Sequence, residues 1–566
     1  MKSNKALLQG YENTTLLSYE NLTKVFPNTV AYEALPDNAV SGVIKANRYI
    51  DGKLFQTYSQ QENHVGVIAA TRLGKTTEYV IPTILSFAHA KIKRSMVVSD
   101  PKGELYKLTA ATLAKEGYNV KLINFRDYLH SEYWNPLTPI FRLYRDALNV
   151  ESEVAVVDTE DGPRNSFRGV IYNSQRKLDE AIEQMKKIAM ENVANEIDKI
   201  ALTTIATEDK NDPYWEDSAR ELLKAILWAM LEDSSPTDER TLITEENFSF
   251  STALTIMDSM KDGTESRFED DGYFSSRKPD SRAYVLAKNC ILDNGHITRK
   301  CIISVFNTKM SIYKASAARL ITSCNSFDMK ELVGNKPIVV FISYRDEIKA
   351  HYQVISSFIQ NAYAYLIDHV NNDDSGKLEV PFYFILDEFG NFPVIDSFET
   401  VISACAGRNI WFILILQSYA QLNNVYGEAV AAIIRDNLNV HVFIGSNNPS
   451  TLAEFSKECG EMTRISPKSA LNGSKSEIEY YDIETIPLMP KSTLANLKVG
   501  EAIVTEANCG YVLLSKLERY YLCKEFSNLP LSSDKDYRCN VNPLDSKYCY
   551  VFTEKKRSES RFNFDL

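Results

Sequence analysis

Three almost wholly apolar runs constrain this chain more than anything else in it: HVGVIA at 64–69, FYFIL at 382–386 and IWFILIL at 410–416. Each is of strand length and lacks the apolar–polar alternation of a half-exposed strand. Each therefore predicts a strand buried on both faces, as in a parallel sheet sandwiched between helices. Each also stops at polar residues: ATRLGKTT at 70–77, Asp387-Glu388, and Gln417-Ser418. In open sheets of this kind, ligands bind at the carboxyl ends of the strands.

The first stop reads as a phosphate-binding loop. A loop between strand and helix can aim successive backbone N–H groups at a phosphate, and the helix N-terminus adds a partial positive charge. The helix is expected from Lys75 to about Ala90. The loop residues Ala70, Thr71, Arg72, Leu73 and Gly74, with Lys75, Thr76 and Thr77, form the candidate nucleotide site. Gly74 permits close backbone approach, Lys75 reaches the β- and γ-phosphates, and the Thr76 hydroxyl binds Mg²⁺. The pattern G-x-x-x-x-G-K-[ST] fails only at its first position, which is Ala69.

The second stop supplies the acids. Asp387 is assigned to Mg²⁺, mostly through water, and Glu388 to the base that orients or deprotonates the attacking water. A helix-capping role accounts poorly for two adjacent carboxylates after five apolar residues. Gln417, at the tip of the third run, is placed to touch the γ-phosphate or the lytic water. Arg408, just before that run, is open to two readings: an arginine finger for a neighbouring subunit, or a solvated loop arginine. The combination predicts hydrolysis of ATP with Mg²⁺.

Further segments resemble one family, the type IV coupling proteins of bacterial conjugation and type IV secretion. They are SDPKGELYKLTA at 99–110, YWNPL at 133–137, DPYWEDSARELLKAIL at 212–227, LDEFGNF at 386–392, VHVFIGSNNPSTLAEFSKECGEMT at 440–463 and LMPKSTLANLKVGEAIV at 488–504. The similarity spans roughly residues 45–525. It implies an α/β fold, a RecA-like P-loop motor with a mainly parallel sheet, interrupted by an inserted all-α domain. It also implies a homo-hexameric ring and DNA as substrate, single-stranded or double-stranded. The implied partners are a relaxase with accessory transfer proteins and the components of a type IV secretion channel. Two features depart from the family. Members usually open with two membrane-spanning helices, whereas no apolar run here approaches the roughly 20 residues a span needs. Leu73 stands where a small residue usually precedes Gly-Lys, so its side chain is expected to point away from the phosphates.

Composition narrows the setting. At 44% hydrophobic and 24% charged, the chain is ordinary for a soluble globular protein. Nine cysteines without a Cys-x-x-Cys pair, and seven dispersed histidines, argue against zinc and disulfide frameworks. With no signal-peptide pattern, a cytoplasmic location is expected, with recruitment to the inner face of the membrane by a partner. The net charge of −12 looks unsuited to a DNA motor. However, residues 151–280 hold 30 Asp/Glu against 15 Lys/Arg, which leaves a net of +3 for the remaining 436 residues. The acidic stretch, Asp209, Asp270 and Asp271 included, is expected either to dock a basic protein or simply to be solvated.

The expected organisation is an arm and hairpin over 1–63, with Asp51-Gly52 as the hairpin turn, then a first motor part over 64–145. An all-helical insertion over 146–325, a second motor part over 326–525 and a tail over 526–566 follow. The favoured function is an ATP-driven coupling protein that delivers a relaxase–single-stranded DNA substrate to a secretion channel. Two alternatives stay open: a DNA-pumping translocase for chromosome segregation or end processing, and a nucleotide-locked substrate receptor or adaptor with little turnover.

Overall fold

The structure is a computed structural model that describes all residues except 1–14, 19–27, 39–41, 160–161, 207–211, 235–242, 262–272, 396, 472–476 and 549–566. The chain divides into two compact units, residues 1–124 with 329–537, and residues 125–328 with 538–566. The expected boundary at 145/146 lies within helix Thr138–Leu148, whereas the division falls directly after a strand that ends at Asn124.

The first unit is built on a ten-stranded sheet. Its strands are β1 Thr15–Ser18, β2 Val65–Ala69, β3 Ser95–Asp100, β4 Asn119–Asn124 and β5 Ile338–Ser343. They continue with β6 Phe382–Leu386, β7 Ile410–Leu416, β8 Val440–Gly445, β9 Glu501–Glu506 and β10 Tyr511–Lys516. The order is β1-β10-β9-β8-β2-β7-β6-β3-β5-β4. All pairings are parallel except those of β9, which runs antiparallel to β8 and β10. This is the mainly parallel sheet that the apolar runs predict.

The apolar runs behave as their composition requires. Every residue of β2 and β6 is buried, as is all of β7 except Trp411. Helix Ile81–His89 covers the sheet with eight of its nine side chains buried. It joins Val65, Val67, Tyr383, Ile385, Ile413 and Ile415 in one core. Each fully buried aliphatic or aromatic side chain there contributes about 1.5–3 kcal/mol of transfer free energy.

A small antiparallel sheet, Thr29–Ala31, Ile44–Ile50 and Lys53–Tyr58, lies between β1 and β2 in the chain. Asp51 and Gly52 close its hairpin with φ of 49° and 79°, the left-handed pair a two-residue turn demands.

The second unit is mainly helical. Its longest helices are Gln175–Thr204, Tyr214–Glu232 and His296–Lys309. Trp228 is buried in it, edge-on to Tyr144 and under Arg282, while Trp215 is half-buried beside Tyr214. To the helical insertion the structure adds a three-stranded antiparallel sheet, Val154–Thr159, Gly162–Phe167 and Val170–Tyr172. Asp209, Asp270, Asp271 and the Lys/Arg-rich tail segment at 555–561 lie outside the described residues. Among the described residues, no helix is long and apolar enough to cross a membrane.

Candidate functional site

The sheet order explains how distant segments meet. β7 lies between β2 and β6, so the loop after β2 and the acids after β6 flank the tip of β7. The register holds the three tips level: Leu386 pairs with Leu414, and Leu416 with Ile68.

Loop 70–74 leaves β2 with the Ala70 N–H donating to the Gly445 carbonyl at 2.9 Å and the Leu73 N–H to Ala70 at 3.2 Å. Arg72 and Gly74 have φ of 71° and 97°. At Gly74 a Cβ would stand 2.5 Å from the Glu78 carboxyl, so glycine is required there for space as well as for backbone angle. Leu73 is exposed and leans on the tip of β8, with its δ-methyl 2.8 Å from where a Cβ on Gly445 would sit. Residues Lys75–Val80 form a wide π-type turn before the α-helix starts at Ile81, a distortion found often at functional sites.

Lys75 is 7% exposed, and its ammonium is gripped by both acids. Nζ stands 3.2 Å from Asp387 Oδ1 and donates to Glu388 Oε1. Burial draws the Lys75 ammonium down, but Asp387 and Glu388 outweigh it and hold the group above its ordinary value. Burial likewise pushes the Asp387 carboxyl up, opposed by Lys75.

Gln417 completes the cluster. Its Nε2 donates to Glu388 Oε2 at 2.9 Å, and its Oε1 accepts from the Thr71 hydroxyl at 3.3 Å. Thr71, Gln417, Glu388, Lys75 and Asp387 thus form one connected polar network at the carboxyl edge of the sheet. Glu388 has a left-handed backbone with φ of 55°, unusual for a side chain with a Cβ, and its N–H donates to Asp387 Oδ1 at 2.9 Å.

Thr76 and Thr77 are half-buried in the first turn, and the Thr77 hydroxyl donates to the Gly74 carbonyl at 3.2 Å. Among the described residues, no three His, Cys, Asp or Glu side chains converge as a metal cluster. A magnesium ion in a nucleotide site does not need one: it takes one or two protein oxygens and completes its shell with water and phosphate. The hard oxygens of Thr76 and Asp387 suit it.

Arg408 is not part of this constellation. It precedes β7, at the opposite end of that strand from Gln417, and its Nη1 donates to the Ala404 carbonyl at 2.9 Å. A seven-residue strand separates it from its own loop by about 20 Å.

Two supports were not evident from sequence. Gln421 accepts the Gln417 N–H at 3.1 Å, and a Cβ on Gly390 would stand 2.8 Å from its side chain. It therefore braces the turn after Glu388 against the tip of β7. The Ser99 hydroxyl donates to the Asp387 carbonyl at 3.0 Å and bonds Tyr344 at 2.9 Å. The only sequence signal for either was position: Ser99 in β3 and Gln421 one helical turn past Gln417.

Comparison with known proteins bears on the family and the fold. Residues 28–535 match the family model described as "Type IV secretory system Conjugative DNA transfer". The chain is similar to Protein VirD4 of Rhizobium rhizogenes, 21% identical over 406 residues, covering 71% of this chain and 50% of that protein. It is similar to the conjugal transfer protein TraG of Escherichia coli, 23% identical over 438 residues, covering 75% of this chain and 59% of that one. The chain thus spans between half and three-fifths of the length of these curated relatives. Its fold matches the plasmid coupling protein TrwB in complex with ADP and Mg²⁺, with a TM-score of 0.56 at 14% identity over 90% of this chain and 94% of that one. With a family match over most of its length, a parallel-sheet motor fold and a lysine–acid cluster at the sheet edge, this chain belongs to the conjugative DNA-transfer family of type IV secretory systems.

Proposed function

We propose that this chain is an ATP-driven coupling motor that passes a relaxase-bearing single strand of DNA to a type IV secretion channel. The observation that carries this reading is the convergence of Lys75, Asp387, Glu388 and Gln417 on the loop 70–77. The TrwB fold match, which includes complexes with ADP and Mg²⁺ and with an ATP analogue, supports nucleotide as the ligand.

The chemistry follows from the residues. Phosphate oxygens replace the carboxylates as partners of the Lys75 ammonium. That exchange releases Glu388, whose carboxylate then orients water and takes its proton. Mg²⁺, held by the Thr76 hydroxyl and, through water, by Asp387, would neutralise phosphate charge. Gln417 links Glu388 to Thr71 and so ties the base to the loop. Gln421 and the Gly390 turn keep that link in register. The pumped strand needs only backbone contacts, which requires no base-reading motif. In a ring of copies, Arg408 is read as serving the loop of a neighbouring subunit rather than its own.

The test is ATP hydrolysis by the full chain with and without single-stranded DNA. The motor reading expects hydrolysis that DNA stimulates several-fold and that ceases without Mg²⁺. Nucleotide binding without turnover, in either condition, would replace the motor with a nucleotide-locked receptor.

A further inference from the structure

The turn after the phosphate loop holds a buried acid for which nucleotide binding alone supplies no role. Glu78 lies three residues past Lys75, with its side chain 1% exposed. It faces Gly74 so closely that a Cβ there would stand 2.5 Å from the carboxyl carbon. Its N–H donates to the Gly74 carbonyl at 2.7 Å. Oε1 accepts from Arg519 Nε at 2.9 Å, while Oε2 has no hydrogen-bond partner among the described residues.

Arg519 comes from the segment that follows β10. Its Nη1 donates to the Tyr521 hydroxyl at 2.9 Å, and residues Tyr520–Leu522 pack against the turn Lys75–Val80. The same segment brings two other charges to bear on Glu78: Lys516, which favours the carboxylate, and Glu518, which opposes it. Burial pushes the Glu78 carboxyl above the ordinary range, and Arg519 draws it back down.

A carboxylate buried beneath a loop that receives phosphate repels the ligand of that loop. Screening by water is weak there, so the repulsion is felt unless a cation answers it. Glutamine would fill the same space without the conflict. The chain instead keeps the acid and answers it with an arginine 441 positions away.

We propose that Arg519 is a positioning residue for nucleotide binding, acting through Glu78. It neutralises the acid under Gly74 and holds the Gly74–Glu78 turn in its phosphate-receiving form. The segment after the last strand of the sheet thereby governs the affinity of the loop. This rests on residues 70–77 being a nucleotide site.

The test is equilibrium binding of a fluorescent ADP, with Mg²⁺, to the full chain and three variants. Arg519→Gln should weaken binding about tenfold or more, because the buried acid is left unanswered. Arg519→Lys, which keeps the charge, should stay within about threefold of the parent. The double variant Glu78→Gln/Arg519→Gln should recover to within about threefold, since removing the acid removes the need for the cation. Parent-like binding by Arg519→Gln overturns the proposal. So does a double variant as weak as Arg519→Gln, which would make Arg519 a direct nucleotide contact. Arg519→Lys as weak as Arg519→Gln overturns it too, since charge would then not be the cause. Failure of the parent itself to bind ADP overturns the nucleotide reading and this proposal together.

Discussion

At the scale of single residues, the candidate site divides into what a sequence can show and what it cannot. Lys75, Asp387, Glu388 and Gln417 were legible because each stands where an apolar run stops. Glu78, Gln421 and Arg519 were not. They are ordinary polar residues until tertiary structure sets Glu78 against Gly74, Gln421 against Gly390, and Arg519 against Glu78. In the sequence His64 is one of seven dispersed histidines, at the start of the run 64–69. In the structure it is 2% exposed, with Nδ1 accepting the Phe412 N–H at 3.0 Å, and burial lowers its pKa to about 4. The sign follows from that direction. The folded state keeps His64 neutral, so its contribution is full above about pH 6.5 and is lost as pH falls toward 4. The loss amounts to about 3 kcal/mol. Urea midpoints measured across this window should fall less steeply for His64→Asn than for the parent. Identical slopes would show that the buried ring carries no such linkage.

At the scale of elements, the continuously apolar strands β2, β6 and β7 were readable because burial on both faces leaves no polar positions. The antiparallel course of β9 was not, since direction is set by connection and partner rather than by composition. The small sheet at 154–172 escaped for the opposite reason. Val156, Val170 and Ile171 are 70%, 55% and 46% exposed, so its strands carry no burial pattern to detect. The helix expected from Lys75 begins as a regular helix only at Ile81, because the turn opens wide over Lys75–Val80. The sandwich around β6 makes a direct prediction. Phe384 is fully buried and stacks on Phe412 with ring centroids 5.0 Å apart. Phe384→Ala should cost about 3–5 kcal/mol in denaturant unfolding of the motor unit. A loss below about 1 kcal/mol would mean that β6 is not a core strand.

At the scale of the whole molecule, the family resemblance spread over residues 45–525 foreshadowed the match over 28–535. Two-thirds of the net charge of −12 lies in the second unit, where the acid is concentrated at 151–280. The position of Arg408, at the far end of β7 from its own loop, bears on assembly. If Arg408 serves a neighbouring subunit, activity should rise more steeply than protein concentration. Mixing Arg408→Ala with Lys75→Ala should restore turnover at interfaces that pair an intact loop with an intact arginine. Activity linear in concentration, with no rescue on mixing, would make Arg408 structural. The central claim, that Lys75 and Glu388 are the binding and hydrolytic halves of one ATP site, is tested most directly by nucleotide retention. Parent, Lys75→Ala and Glu388→Gln proteins would each be incubated with Mg²⁺ and labelled ATP, and the bound nucleotide identified. The account predicts that Lys75→Ala retains little of either nucleotide, while Glu388→Gln retains unhydrolysed ATP and the parent releases ADP. Hydrolysis at the parental rate by both variants would contradict it.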